Sequence, residues 1–138
     1  MKQEEKELLL KDLCARLLYG VKMTHIADDE HCPKTLIGIA KDMITLEGIG
    51  GYECVDIEDY KPYLFPLSSM TAEQKNLFSL IICKLDDSDM WRNGDMIFID
   101  NETDLDYLLN FYNKNHIDFR GLIPMGLALD ATGLGIYE

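Results

Sequence analysis

The stretch from Val55 to Phe78, VDIEDYKPYLFPLSSMTAEQKNLF, decides the fold of this chain because it joins two kinds of structure. Before the join, apolar and polar residues alternate as they do in strands. Pro62 and Pro66 then stiffen an apolar passage. A helix start follows, since Thr71 and Gln74 have the spacing of a reciprocal capping box. The stretch predicts an α+β protein in which a small β unit precedes a helical part.

Upstream of this join, the sequence predicts one helix and a small sheet. Residues 3–18 carry leucines at helical spacing, and Gly20 is the expected end of this helix. Four short strands, recognised by alternating apolar residues between polar or glycine-rich turns, are predicted at residues 19–26, 35–40, 43–46 and 52–57. A flat sheet of this size would leave its edges unprotected. We therefore expect a small curved antiparallel sheet of four or five strands, or an open barrel.

Downstream of the join, the sequence predicts two further helices packed on the sheet and a hairpin. The first helix is expected at residues 72–83, whose broad apolar face favours contacts on two sides. Asn93-Gly94 predicts a two-residue hairpin turn between short flanking strands. Thr103 is the expected cap of the last helix, which carries apolar residues up to Tyr112. The glycines of the tail, residues 118–138, exclude a long final helix.

Length and composition are those of one globular domain. The chain has 138 residues, of which 47% are hydrophobic, and this is enough for a core. We expect a single domain spanning 1–138, in which 1–67 form the helix and small β unit and 68–138 form a helical and hairpin part packed against it. No apolar run approaches the roughly 20 residues that cross a bilayer, and the first residues lack a signal-peptide pattern. The sequence therefore predicts a cytoplasmic protein that does not contact a membrane.

The four cysteines are far apart in the sequence. Cys14, Cys32, Cys54 and Cys83 include no C-x-x-C pair, the spacing used by structural zinc sites and redox motifs. Three of the four lie within apolar patterns. We expect buried free thiols, because disulfides are rare in cytoplasmic proteins.

The net charge is −12 and is concentrated in one segment. Between Asp86 and Asp106 there are eight acids and a single base, Arg92. Such a segment repels phosphate, so direct binding of nucleic acid is not expected. It is interpreted as a solvated surface, as a cation site or as a surface for a basic protein partner. Asp86, Asp87 and Asp89 are the candidate contacts for that partner.

No catalytic, cofactor or metal constellation is predicted. His25, His31 and Cys32 are ligand types for zinc, but their spacing does not provide two close pairs. Residues 89–100 match a calcium loop at few positions, and Trp91 occupies a position that needs an oxygen ligand. Glycine-rich phosphate loops and metalloprotease motifs do not occur in the sequence. The sequence therefore predicts no catalytic residue, no cofactor and no metal, and a protein that is not an enzyme.

The stretch NHIDFRG, residues 115–121, is the second candidate site for a partner. Asp118, Phe119 and Arg120 are compatible with a partner-binding knob. They are also compatible with a cap after the last helix, in which the apolar side chains dock on the core and Asp118 with Arg120 satisfies backbone groups. The sequence leaves both interpretations open.

Three stretches resemble an uncharacterised family of short proteins from gut anaerobic bacteria and from their phages and prophages. They are LLLKDLCARLLYGVK (Leu8–Lys22), VDIEDYKPYLFPLSSMTAEQ (Val55–Gln74) and NKNHIDFRGLIPMGLAL (Asn113–Leu129). Leu18 replaces an expected proline and Phe65 an expected basic residue. The resemblance implies a bacterial or phage origin, and it implies no activity because no catalytic residues can be transferred from the family.

Three functions are compatible with these observations. The leading hypothesis is a non-enzymatic accessory or protein-interaction protein of a bacterial phage or mobile element, with an unidentified protein partner. The second is an acidic nucleic-acid mimic, in which the acids of residues 86–106 occupy the basic groove of a DNA-binding or defence protein. The third is a small hydrolase with a carboxylate pair that the sequence does not reveal. Rows of acids on one face would favour the mimic, and polar side chains converging in a deep pocket would favour the hydrolase.

Overall fold

The computed structural model describes residues 1–27, 32–70, 72–74, 90–93, 96–99 and 109–137. Within these residues the chain forms an N-terminal helix, a curved, open and mostly antiparallel sheet, and a further helical segment towards the C-terminus. The predicted α+β class is therefore confirmed.

Helix α1 spans Gln3–Arg16. The backbone N–H of Lys2 donates to the Glu5 carboxylate at 3.1 Å, so one of the amides that the helix start leaves unpaired is satisfied. A 3-10 turn, Leu17–Tyr19, follows α1 and ends at Gly20. Gly20 has φ 68°, the left-handed conformation in which glycine commonly closes helices. The predicted helix and its glycine end are confirmed.

Five strands follow α1 as a meander whose last strand returns to the first. They are β1 (Lys22–His25), β2 (Lys34–Ala40), β3 (Met43–Gly48), β4 (Gly51–Asp56) and β5 (Tyr60–Pro66). A 3-10 turn, Ile57–Asp59, separates β4 from β5. Hydrogen bonds order the strands β4-β3-β2-β1-β5, and every neighbouring pair in this order is antiparallel. The four strands predicted upstream of the join are β1 to β4.

Strand β5 corrects the sequence analysis, which treated its residues as a proline-stiffened passage. Pro62 lies opposite Met23 of β1. No described strand other than β1 pairs with β5 at Pro62, so one edge of β5 is open to pairing at this position. A residue without an N–H is tolerated at such an edge. Tyr63 and Leu64 are fully buried. The apolar passage is therefore a core strand.

A separate hairpin lies farther along the chain. Its strands are β6 (Met90–Asn93) and β7 (Met96–Ile99). The two pair with each other and with no other described strand. The predicted hairpin is confirmed, but Asn93 pairs with Met96 and so belongs to the strand and not to the turn.

The two helices predicted downstream of the join are described in part. Residues 72–74 and 109–114 are helical, and each range falls within a predicted helix. The other residues of both predicted helices lie outside the described residues, as do the predicted caps Thr71 and Thr103.

Two short strands of the tail pair with β5 in parallel. They are β8 (Ile117–Asp118) and β9 (Leu129–Asp130). The amide of Phe65 donates to the carbonyl of His116, and the amide of Ala131 donates to the carbonyl of Leu64, both at 2.8 Å. Because the carbonyl of one strand residue and the amide of the next project from opposite edges, the tail reaches both edges of β5.

The core lies between α1, the inner face of the sheet and the tail. Leu9 and Leu13, one turn apart on α1, provide the helix's contribution. The buried hydrophobic residues of the cluster are Leu9, Leu13, Val21, Met23, Leu36, Ile44, Leu46, Ile57, Tyr60, Leu64, Leu122, Leu127 and Ala128. The sheet and the tail thus share one core with the N-terminal helix.

The cysteines correct a second expectation. Cys14, Cys32 and Cys54 are free thiols, as predicted, but they are exposed and not buried. Side chains alternate along β4 between the inner and outer faces of the sheet, and Cys54 lies on the outer face. Cys83 lies outside the described residues.

Candidate functional site

The predicted site residue Asp118 is buried at the end of β8. Its Oδ1 accepts a hydrogen bond from the amide of Leu122 and its Oδ2 accepts one from the amide of Ile123, both at 2.8 Å. The carboxylate therefore satisfies two backbone groups of the turn that follows. This contact is the one that the capping interpretation of residues 115–121 describes.

The other two predicted residues of this stretch, Phe119 and Arg120, are half-buried. The guanidinium of Arg120 lies over the Phe119 ring, 4.4 Å from its centroid, and its Nε is 3.2 Å from Oδ1 of Asp12. Phe119 stacks on Tyr112, with 5.1 Å between ring centroids. Both side chains thus contact residues of the same chain, on α1 and on the helical segment before β8.

Asp12 and Arg16 form a fully buried ion pair one turn apart on α1. Arg16 donates to both Asp12 carboxylate oxygens, at 2.8 and 3.1 Å, and its Nη2 also donates to the carbonyl of Ile117 at 2.6 Å. The guanidinium therefore ties β8 to α1. This pair was not predicted from the sequence, although both residues share the i, i+3, i+4, i+7 face of Leu9 and Leu13.

The acidic candidates Asp86, Asp87 and Asp89 lie outside the described residues, together with the other acids of the segment. The structure therefore does not test whether these acids form rows on one face, and the nucleic-acid mimic stays a prediction. Within the described residues, no group of three or more His, Cys, Asp or Glu side chains is placed to hold a metal ion.

Strands β2 to β4 present large apolar side chains to solvent. Ile37, Met43 and Tyr52 are exposed, and Tyr52 retains 73% of its accessible surface. Met43 and Tyr52 lie on the face opposite the buried Ile44 and Leu46, because side chains alternate along a strand. Ile37 is exposed where β2 and β3 shift register in a bulge. This face is distinct from the core face of the same strands.

A further apolar side chain projects from the tip of the β3–β4 hairpin. Gly48 pairs with Gly51, and Ile49 and Gly50 form the two-residue turn between them. Ile49 is fully exposed, so its side chain contributes no buried area to the fold. We name Ile37, Met43, Ile49 and Tyr52 together the hairpin face.

The sheet beneath the hairpin face is fixed by a polar contact across strands. The Lys34 ammonium on β2 bonds the carboxylate of Glu53 on β4, and the Tyr60 hydroxyl on β5 donates to the same carboxylate at 3.4 Å. The hydrogen bond from Lys34 lowers the pKa of Glu53, with burial acting in the opposite direction. The strands that carry the hairpin face are therefore tied together by side chains as well as by the backbone.

A cleft of about 660 Å³ lies away from the hairpin face, between the 3-10 turn after α1, strand β1 and the tail. The Tyr137 hydroxyl is built into its wall: it accepts a hydrogen bond from the amide of Lys22 at 2.9 Å and donates to the carbonyl of Tyr63 at 2.6 Å. This hydroxyl bridges β1 and β5 just beyond their last backbone pair. Burial raises the pKa of Tyr137.

His116 forms the adjoining part of the cleft wall. Its ring stacks on Tyr137 with 3.8 Å between centroids and 11° between planes. Burial, followed by the positive charges of Arg16 and Lys22, lowers the pKa of His116 from 6.5 to about 4. The imidazole is therefore neutral near pH 7.

Comparisons of this chain with protein-family models, with curated proteins and with solved structures find no match. In the part of the chain that the structure describes, no helix combines the length and apolar character needed to cross a membrane. The geometry of the molecule itself is therefore the basis for a functional proposal.

Proposed function

We propose that this chain is a non-enzymatic protein-interaction protein that binds its partner through the hairpin face. An accessory role in a bacterial phage or mobile element is part of the proposal and is supported by the sequence resemblance. The observation that carries the proposal is the exposure of Ile49 and Tyr52 on one hairpin.

Two large apolar side chains at one hairpin provide binding energy that folding does not use. Complete burial of a side chain of this type is worth about 1.5–3 kcal/mol, of which the costs of association leave only a part as binding energy. Scattered apolar residues are common on protein surfaces. Ile49 and Tyr52 differ from these because they share one hairpin with Met43 at its base. Tyrosine is also among the residues enriched at the energetic centres of interfaces.

The surroundings of these side chains indicate the chemistry of the partner. Glu47 lies directly opposite Tyr52, and Asp56 lies directly opposite Met43. Both acids are exposed. A partner that fits this surface offers an apolar pocket bordered by Lys or Arg, since unlike charges at an interface favour encounter and orientation.

The rigidity of the sheet favours binding without a large ordering penalty. Met43 and Tyr52 lie on strands that are paired from Met43 to Asp56, and Ile49 lies in the two-residue turn that joins these strands. Side chains held on such a scaffold lose less conformational freedom on association than side chains on a mobile loop.

The hydrolase alternative gains no support from the buried acids. Among the described residues the two buried carboxylates are those of Asp12 and Asp118. Asp12 is engaged by Arg16 and Arg120, and Asp118 accepts two backbone hydrogen bonds. A general acid or base needs a proton-transfer path to substrate, and both carboxylates are occupied by contacts within the fold.

The test is an affinity purification with matched variants. The immobilised chain is exposed to a lysate of a gut anaerobic bacterium, and retained proteins are quantified by mass spectrometry. The test variant is Ile49→Ser with Tyr52→Ser. The control is Leu18→Ser with Leu134→Ser, which removes two exposed apolar side chains outside the hairpin face.

We expect a partner that the wild type and the control retain equally and that the test variant retains at least about tenfold less, because two contact residues of roughly 1 kcal/mol each are lost. Melting temperatures of all three proteins should agree, since the replaced side chains are exposed. Equal retention by the test variant, or equal loss in the control, would contradict the proposal.

A further inference from the structure

The described residues that line the cleft beside the tail carry positive charge, whereas the molecule as a whole is acidic. The chain contains 25 Asp and Glu residues and a net charge of −12. None of the described residues that line the cleft is an acid, whereas Lys22 and Lys114 both line it. Two lysines and no acid among the described lining residues of an acidic protein are a feature that solubility does not explain, because solubility needs only the overall negative charge.

Lys22 is held in place at this cleft. Its Nζ donates to the Thr35 hydroxyl at 2.6 Å, which leaves the ammonium with two further protons to donate. Lys114 is exposed at the end of the helical segment 109–114. The cleft therefore combines one anchored ammonium with one free to adjust.

His116 adds a neutral donor to the two ammoniums. Its Nδ1 is buried and has no hydrogen-bond partner within the described part of the chain. We assign the proton of the neutral ring to Nε2, because an N–H there can be hydrogen-bonded by water or by a ligand, whereas an N–H on the buried Nδ1 would have no acceptor among the described residues. Because the ring lines the cleft and Nδ1 is inaccessible, Nε2 is the nitrogen that a ligand can reach.

The remaining walls fit a planar or apolar body. Tyr19, Phe65 and Tyr137 line the cleft, and Gly133 and Gly135 add stretches without side chains. Both glycines have positive φ, 76° and 67°. The volume of about 660 Å³ falls within the range of about 300–1,000 Å³ that is typical of small-molecule sites.

We propose that this cleft binds a small organic anion, with its carboxylate or phosphate contacted by Lys22, Lys114 and the Nε2–H of His116 and its planar body placed against Phe65 and Tyr137. The site is separate from the hairpin face and does not depend on the function proposed above. It gives the molecule a means to respond to a small molecule.

The first test uses benzoate, benzamide and inorganic phosphate as probes on the full chain. Binding is followed by NMR, from the His116 ring signals and from the backbone amides of residues 114–116 and 133–137. Benzoate and benzamide have nearly the same shape and differ in charge. We expect saturable shifts at these residues with benzoate, shifts with phosphate at higher concentration, and at least about fivefold weaker binding of benzamide.

Benzoate should also raise the pKa of His116, because a bound anion stabilises the protonated ring, which burial and then the charges of Arg16 and Lys22 disfavour. The tyrosine stacked on the ring, Tyr137, is neutral in this pH range since burial raises its pKa. The shift is read from the His116 ring signals as a function of pH, with and without benzoate.

Variants separate this site from general attraction of anions. Lys114→Met should weaken benzoate binding roughly two- to fivefold, the usual range for one exposed charge contact, and Lys22→Met should weaken it at least as much. Lys11→Met removes the same charge from an exposed position on α1 and should leave binding unchanged. Lys114 is exposed, so its variant keeps the fold.

Three results would overturn the proposal. They are the absence of saturable benzoate shifts at the cleft, equal binding of benzamide and benzoate, and equal weakening by Lys11→Met and Lys114→Met. None of these variants alters the hairpin face, so a negative outcome here leaves the partner-binding proposal intact, and failure of that proposal leaves this one intact.

Discussion

At the scale of single residues, the buried ion pair of α1 is the most consequential feature for stability. Asp12 neutralises Arg16 and also lies 3.2 Å from Nε of Arg120. Removing the carboxylate would leave a buried guanidinium without its counter-charge. Breaking a buried pair in this way typically costs about 3–5 kcal/mol.

We therefore predict that Asp12→Ala lowers the free energy of unfolding by about 3–5 kcal/mol, as measured by urea denaturation. Glu4→Ala, an exposed acid on the same helix, is the control and should change the free energy by about 0.5 kcal/mol or less. A loss below about 1 kcal/mol for Asp12→Ala would show that the guanidinium is compensated by its backbone carbonyl partners, those of Ile117 and Tyr112, without the carboxylate.

His116 gives the molecule a predicted dependence on pH. The folded state holds its pKa at about 4, below the ordinary 6.5, so between these values the unfolded chain binds more protons than the folded chain. Its contribution to stability is fully present above about pH 6.5 and is lost as the pH falls towards about 4. Burial of the ring is the main cause of this lowered pKa, and the positive charges of Arg16 and Lys22 add to it.

The variant His116→Asn removes the titrating ring, and asparagine tolerates the positive φ of 58° at this position. We predict that the wild type loses more stability than the variant between about pH 6.5 and about pH 4, measured by urea denaturation at several pH values. Above pH 7 the difference between the two proteins should be constant. Parallel curves across the whole range would show that His116 does not carry this dependence.

The buried pair of Asp12 and Arg16 is a residue-level feature that could not be predicted from the sequence. The spacing of Leu9 and Leu13 identified the buried face of α1, but charged residues on that face are ordinarily solvent-exposed. Asp12 and Arg16 are buried because their partners, Ile117 and Arg120, arrive from the tail. A contact between residues roughly one hundred positions apart leaves no local periodic signal.

At the scale of elements, the turn of the β3–β4 hairpin depends on one of its glycines more than on its neighbour. Gly51 has φ 111°, a conformation essentially restricted to glycine, whereas Gly50 does not have a positive φ. A Cβ at either position would meet nothing within 4 Å. The difference between the two positions is therefore one of backbone strain and not of space.

We predict that Gly51→Ala destabilises the protein by about 1–3 kcal/mol, while Gly50→Ala is neutral or stabilises it by up to about 1 kcal/mol through the unfolded chain. Thermal denaturation of both variants provides the comparison. Equal effects at the two positions would mean that the turn relaxes to accommodate a side chain at Gly51.

The elements also divide into those with a local signal and those without one. Alternating apolar and polar residues identified β1 to β4, and in β3 the buried Ile44 and Leu46 alternate with less buried neighbours. Strand β5 lacks that alternation: Pro62, Tyr63 and Leu64 are buried in succession. A continuous buried run interrupted by prolines looks like a linker until its pairing partners are known. The cleft could not be predicted for the same reason, since Lys22 and His116 line it together only once the tail has paired with β5.

At the scale of the whole molecule, the net charge of −12 sets the response to salt. Exposed like charges repel each other in the compact state, and salt screens this repulsion with a Debye length of about 10 Å at 0.1 M. We predict that raising sodium chloride from about 10 to about 200 mM raises the melting temperature.

Calcium and magnesium at equal concentration should give small, equal shifts in the melting temperature that salt erases.

A selective calcium site would behave differently, because a ligand that binds only the folded state raises the melting temperature specifically. The sequence does not predict such a site, since Trp91 interrupts the loop pattern. A large calcium-specific rise that is abolished by Asp89→Asn with Asp100→Asn would contradict this prediction.

The parallel pairing of β5 with the tail has a consequence for biosynthesis. The partners of Phe65 and Leu64 are roughly 50 to 65 residues downstream, which corresponds to a delay of several seconds at about 5–20 residues per second. During that delay the nascent β5 has unpaired amides and carbonyls and an apolar surface. Newly made chains are therefore most open to aggregation, or to chaperone binding, in the interval before the ribosome releases the tail.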